Sequence, residues 1–125
     1  MEDIMMKNIL VVDDDDILRL LICDTLEDLE YEIDEVENGI DALEKINQQT
    51  YDLIILDSMM PHLTGLEVIE RIPNHIKEKT PILMLTAKAQ ESDRKAVLEK
   101  GARFFIPKPF SPVELVQFVE MILNE

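Results

Sequence analysis

The sequence predicts an α/β domain, an open parallel sheet with helices packed on both faces. Three observations carry this. Short apolar runs alternate with longer segments of helical period along the 125 residues, with no two strand candidates in succession. The first run, Ile9-Leu10-Val11-Val12, is continuously apolar rather than alternating, as in a strand covered on both faces. It opens directly into four aspartates, Asp13 to Asp16, so clustered carboxylates stand at one edge of the sheet.

The strand candidates are Asn8–Val12, Glu32–Val36, Leu53–Leu56, Ile82–Leu85 and Phe104–Ile106. Five helices are expected to alternate with them. The first spans Asp16 to Leu29, with Leu18, Leu21, Ile22, Leu26 and Leu29 recurring at three- and four-residue steps. The second follows Asn38 and places Ala42, Leu43 and Ile46 on one face. The third starts at Thr64, where Thr64 and Glu67 have capping-box spacing, and Pro73 limits it. The fourth runs from Ser92 to Lys100 and ends at Gly101. The fifth has an N-cap at Ser111, proline at the first helical position and Glu114 completing a capping box.

Composition narrows the function classes. Hydrophobic residues make up 46% and charged residues 31%, a globular balance compatible with one core. A formal charge of -15 disfavours direct binding to nucleic acid or anionic membrane and favours cations and basic protein surfaces. The single cysteine, Cys23, excludes an internal disulfide and points to a reducing compartment. No apolar stretch approaches the ~20 residues of a membrane span. The acidic start, Met1-Glu2-Asp3, is unlike a signal peptide, so a cytoplasmic location is expected. With no linker, repeat or low-complexity tract, residues 1–125 are expected to form a single domain without an output domain.

Ligands of open parallel sheets bind outside the carboxyl ends of the strands. The polar residues at those ends are Asp13 and Asp14, Asp57, Thr86, and Lys108 followed by Pro109. Adjacent carboxylates resist ionising together unless a cation compensates them. Asp13, Asp14 and Asp57 are hard oxygen donors suited to Mg²⁺. Lys108 supplies a point charge and Thr86 a hydroxyl. Together they equip the edge for phosphoryl transfer to an aspartate. Asp15 and Asp16 are read as acids that favour the positive end of the first helix. His62 and His75 fall in loops, with no partner at metal-ligand spacing.

Ile9-Leu10-Val11-Val12-Asp13-Asp14, then Leu56-Asp57-Ser58-Met59-Met60-Pro61 with Gly65, then Met84-Leu85-Thr86-Ala87, then Lys108-Pro109-Phe110 resemble the receiver domain of two-component response regulators. The resemblance covers nearly the whole chain. It implies a flavodoxin-like, CheY-like three-layer sandwich with strand order 2-1-3-4-5. It implies Asp57 as phosphoacceptor, Asp14 as direct Mg²⁺ ligand, Asp13 acting through water, and the backbone carbonyl of Met59 as a further ligand, with Mn²⁺ an alternative ion. Thr86 and Lys108 would contact the phosphoryl group, the Lys108-Pro109 bond would be cis, and Phe105 would be the aromatic switch residue, replacing the family tyrosine. The implied phosphodonor is a histidine kinase or histidine phosphotransfer protein, and the output an unidentified protein effector bound around the fourth helix, fifth strand and fifth helix. Ile17, Leu20, Pro109 and Phe110 are the expected docking residues. Met59 and Lys88 stand where the family tunes phosphoryl lifetime, and neither obviously positions a water, so slow autodephosphorylation is expected.

Two other readings compete. One is a Mg²⁺-dependent phosphatase with an aspartate nucleophile, since Asp13 and Asp15 have the spacing of the haloacid dehalogenase pattern. The other is a receiver cut from a longer DNA-binding regulator. Arg103-Phe104 stands where winged-helix regulators carry paired acids, and the fifth helix has no lysine or arginine, which favours a stand-alone receiver or another output class. In none of these readings is the chain a conventional enzyme except the phosphatase.

Overall fold

A computed structural model of the chain describes residues 6–87, 95 and 98–124. Five parallel strands form one sheet of order β2-β1-β3-β4-β5: β1 (Asn8–Val12), β2 (Glu32–Val36), β3 (Leu53–Asp57), β4 (Ile82–Ala87) and β5 (Phe104–Lys108). The expected order holds. Three strands run one or two residues beyond the apolar runs, so Asp57, Thr86 and Lys108 are ladder residues rather than loop residues.

Alternate side chains of the same strands feed two cores. Leu10, Val12, Ile54, Leu56, Ile82 and Met84 face one layer, which is closed by Ala42, Ile46, Val68 and Ile69 of helices α2 (Gly39–Gln48) and α3 (Gly65–Arg71). Ile9, Val11, Leu53, Ile55, Leu83 and Leu85 face the other, closed by Ile22, Cys23 and Leu26 of α1 (Asp16–Glu27) and by a C-terminal helix, Pro112–Leu123. Because both faces are covered, the strands need no polar alternation.

The helix starts follow the sequence. Asp15 caps α1 by accepting from Ile17 N and Leu18 N, and Asn38 caps α2 by accepting from Asp41 N. Both predicted capping boxes form, Thr64 with Glu67 and Ser111 with Glu114. Gly101 has φ 121, the left-handed conformation expected at a helix end.

Three expectations are corrected. A short helix, α4 (Asn74–Lys79), lies between α3 and β4, so His75 is helical and five helices was too few. Residues 98–100, ahead of β5, are helical as well, and the C-terminal helix is called α5. Helix α1 ends at Glu27, before Leu29. Leu21 and Leu29 are 42% and 37% exposed, so the core stripe of α1 is Ile22, Cys23 and Leu26. Asp16 stands in the first turn of α1, as expected of a helix-start acid, and pairs with Arg19 at 2.7 Å. The start of the predicted helix at Ser92, and Lys88, lie outside the described residues.

Candidate functional site

The carboxyl ends of β1, β3, β4 and β5 bring the expected residues to one edge. Asp13 is fully buried, Asp57 and Thr86 are buried, and Asp14 is exposed. Oxygens of Asp13, Asp14 and Asp57 lie within 4.8 Å of one another. Lys108 Nζ donates to Asp57 Oδ1 at 2.7 Å and stands 3.9 Å from Asp13 Oδ2, too far to hydrogen-bond. The bond between Lys108 and Pro109 is cis.

The electrostatics of this edge are unbalanced, with three carboxylates facing one ammonium. Burial pushes the Asp13 carboxyl up to about 6, against the Asp15 N–H that holds its Oδ1 at 2.8 Å; repulsion from Asp57 adds to the rise. Asp13 Oδ2 is buried and has no hydrogen-bond partner among the described residues. Such an orphaned oxygen needs an explanation, and an ion supplies one. Hard carboxylate oxygens at this spacing, one of them unsatisfied, fit a divalent cation.

The backbone around Asp57 is tightly fixed. Ser58 N donates to Leu85 O at 3.0 Å, and Gly65 N donates to Ser58 O at 3.2 Å. A Cβ on Gly65 would lie 2.4 Å from Asp57 O and 2.9 Å from Ser58 Cα. The glycine is therefore required by close backbone approach, a role invisible in the motif itself. Ser58 Oγ is also buried without a partner among the described residues. Met59 is 58% exposed, so its side chain fills no gap, and its carbonyl accepts no hydrogen bond from the described residues.

Phe105 pairs in register with Met84 and packs, half-buried, against the core that α2 and α3 close. Ile17 and Leu20 are 81% and 60% exposed. An apolar groove beside the site is lined by Ile17, Leu18, Leu21, Ala87, Pro109 and Phe110. Leu20 lies off it, whereas Leu21, which sequence periodicity assigned to the core, lines it. Asp15 Oδ1 caps α1, accepting from Ile17 N and Leu18 N. Cys23 is buried and its thiol is pushed up to about 12, by burial first and by Glu35 next, which makes it unreactive.

Sequence reasoning missed Arg19. Its Nη1 donates to Asp13 O at 2.6 Å, its Nε to Glu35 Oε1 at 2.8 Å and its Nη2 to Asp16 Oδ1 at 2.7 Å. The spacing of Asp16 and Arg19 was a readable pair signal; the contacts to β1 and β2 were not.

Comparison with known proteins agrees with this geometry. The family model described as the response regulator receiver domain matches residues 9–120. The transcriptional regulatory protein ResD of Bacillus subtilis is 47% identical over 116 residues, 93% of this chain and 48% of ResD. The transcriptional regulatory protein SrrA of Staphylococcus aureus is 42% identical over 120 residues, 96% of this chain and 49% of SrrA. The chain thus spans about half the length of these relatives. Chemotaxis protein CheY4 of Vibrio cholerae superposes with a TM-score of 0.88 at 32% identity, covering 95% of this chain and 100% of that one. The receiver domain of the sensor histidine kinase PA1611 of Pseudomonas aeruginosa, solved with a magnesium ion coordinated in its active site cleft, superposes at 0.85 with 29% identity, covering 97% and 100%.

Proposed function

The chain belongs to the response regulator receiver domain family, and on that premise we propose that it is a phosphorylation-dependent switch with Asp57 as phosphoacceptor. The observation that carries this is the Asp57 carboxylate, buried, held by Lys108 at 2.7 Å and grouped with Asp13 and Asp14. Asp13, Asp14, Asp57 and the Met59 carbonyl would hold Mg²⁺, with Mn²⁺ able to take the same donors. When bound, the cation supplies positive charge that offsets the carboxylates against an incoming phosphoryl group.

The residues of the chain do the rest. An Asp57 oxygen forms a bond to phosphorus as the P–N bond to the donor histidine breaks, leaving the electron pair on the imidazole nitrogen. The Lys108 ammonium, already at Asp57, neutralises charge on the phosphoryl oxygens. The Thr86 hydroxyl donates to one of those oxygens, and its movement draws Phe105 with it. The effector binds the two arrangements differently, so phosphorylation shifts a population. The donor, a histidine kinase or phosphotransfer protein, docks on the groove formed by Ile17, Leu18, Leu21, Pro109 and Phe110. The phosphoryl group ends on the protein itself, so the chain is not a conventional enzyme.

The similarity to two transcriptional regulatory proteins about twice its length favours a second reading of the output, in which this receiver controls transcription. Among the described residues no helix is long and apolar enough to cross a membrane.

Incubation with acetyl phosphate and Mg²⁺, followed by intact mass, tests the proposal. One added phosphoryl group is expected on the wild type and none on Asp57→Asn. Equal addition on the variant, or none on the wild type, would refute it.

A further inference from the structure

We propose that Arg19 is a positioning residue for the divalent-cation site, acting through the peptide that joins Asp13 to Asp14. The inference rests on the cation reading of the aspartate cluster. Asp13 is fastened through both its main chain and its side chain. Its N–H donates to Val36 O at 3.2 Å, its carboxylate accepts from Asp15 N at 2.8 Å, and its carbonyl accepts from Arg19 Nη1 at 2.6 Å. That carbonyl belongs to the peptide plane that leads into Asp14. Asp14 is exposed, and its carboxylate has no partner among the described residues. The position of Asp14 is therefore set by its backbone, and Arg19 holds the carbonyl on one side of it.

Arg19 is itself held. Glu35, one residue short of the end of β2, accepts from Nε at 2.8 Å, and Asp16, in the first turn of α1, accepts from Nη2 at 2.7 Å. The guanidinium side chain is only 14% exposed, and its proton affinity is raised, foremost by the Glu35 hydrogen bond. One rigid fork thus ties the first turn of α1, the end of β2 and the loop leaving β1 into a fixed relation. A lysine has the charge but not the planar fork, and could not serve these three acceptors together.

The sign of the effect separates positioning from charge. Arg19 is a cation beside a proposed cation site. If it acted by charge alone, its removal would tighten Mg²⁺ binding, and lysine would match arginine. If it positions the Asp13–Asp14 peptide, both Arg19→Gln and Arg19→Lys weaken binding, on the scale of about tenfold known for residues that orient metal ligands. A role in stability alone would lower the melting temperature and leave the dissociation constant unmoved.

The test is calorimetric titration of the folded chain with MgCl₂ for wild type, Arg19→Gln, Arg19→Lys and Asp13→Asn, with circular dichroism as a check on folding. The expected result is a weaker dissociation constant for both Arg19 variants, by about tenfold. Unchanged or tighter binding by a folded Arg19 variant would overturn the inference. If Arg19→Gln does not fold, Arg19→Lys decides alone. Wild-type binding no different from that of Asp13→Asn would remove the cation reading itself, and the inference with it.

Discussion

At the scale of single residues, the site stores repulsion that the metal-free fold must tolerate. Asp13 is fully buried beside Asp57, with Lys108 at 3.9 Å and its carboxyl raised from 3.8 to about 6. Between those values the folded chain binds more protons than the unfolded chain, so this group makes stability fall as pH rises. Above about 6 the full penalty of the buried charge is present. Asp13→Asn is therefore expected to raise metal-free stability near neutral pH by about 1–3 kcal/mol. The gap to wild type should close as pH falls towards 3.8. Urea unfolding with chelator across that range would check it, and a variant no more stable than wild type at neutral pH would count against it. That Asp13, Asp14, Asp57, Thr86 and Lys108 share one edge was legible in the sequence, because they stand at the ends of apolar runs. Arg19 was not, because its partners lie on β1 and β2 and only the fold brings them together.

At the scale of elements, local signals specified the helices that carry their own caps and missed the one that does not. Helices α1, α2, α3 and α5 have N-cap side chains that accept from the first turn. Helix α4 has no side-chain cap and no buried residue. It is held from a distance: Arg103 Nη2 donates to Glu78 O at 2.6 Å, and Lys77 Nζ donates to Ile69 O at 3.2 Å and Lys100 O at 2.9 Å. Arg103 and Lys100 lie 25 and 23 residues from their partners in α4, beyond any helical window of sequence. Two glycines make a further contrast. At Gly65 a Cβ meets the backbone of Asp57 and Ser58, whereas at Gly39 it meets the Val68 side chain at 2.6 Å. Both alanine variants should lose stability, by about 1–3 kcal/mol. Only Gly65→Ala should also slow phosphorylation of Asp57, because the displaced atoms are those that place it. Equal phosphorylation rates for the two folded variants would contradict this.

At the scale of the whole molecule, the sheet places chemistry-bearing residues from distant parts of the chain on one edge. The parallel architecture and the two-sided core were legible from uninterrupted apolar strands, and the strand order came with the family resemblance rather than from periodicity. The outward placement of Leu21 was not legible, since a helical repeat does not say which stripe meets the sheet. The acidic balance of -15 is consistent with a surface that meets cations and basic partners. The central claim is that this edge forms an acyl phosphate at Asp57. Its most direct measurement is to phosphorylate the chain with acetyl phosphate and Mg²⁺, reduce it with borohydride and map the product by peptide mass spectrometry. The account predicts conversion of the side chain at position 57 to that of homoserine. Reduction at Asp13 or Asp14 instead, or a reduction-resistant phosphate on Ser58, would contradict it.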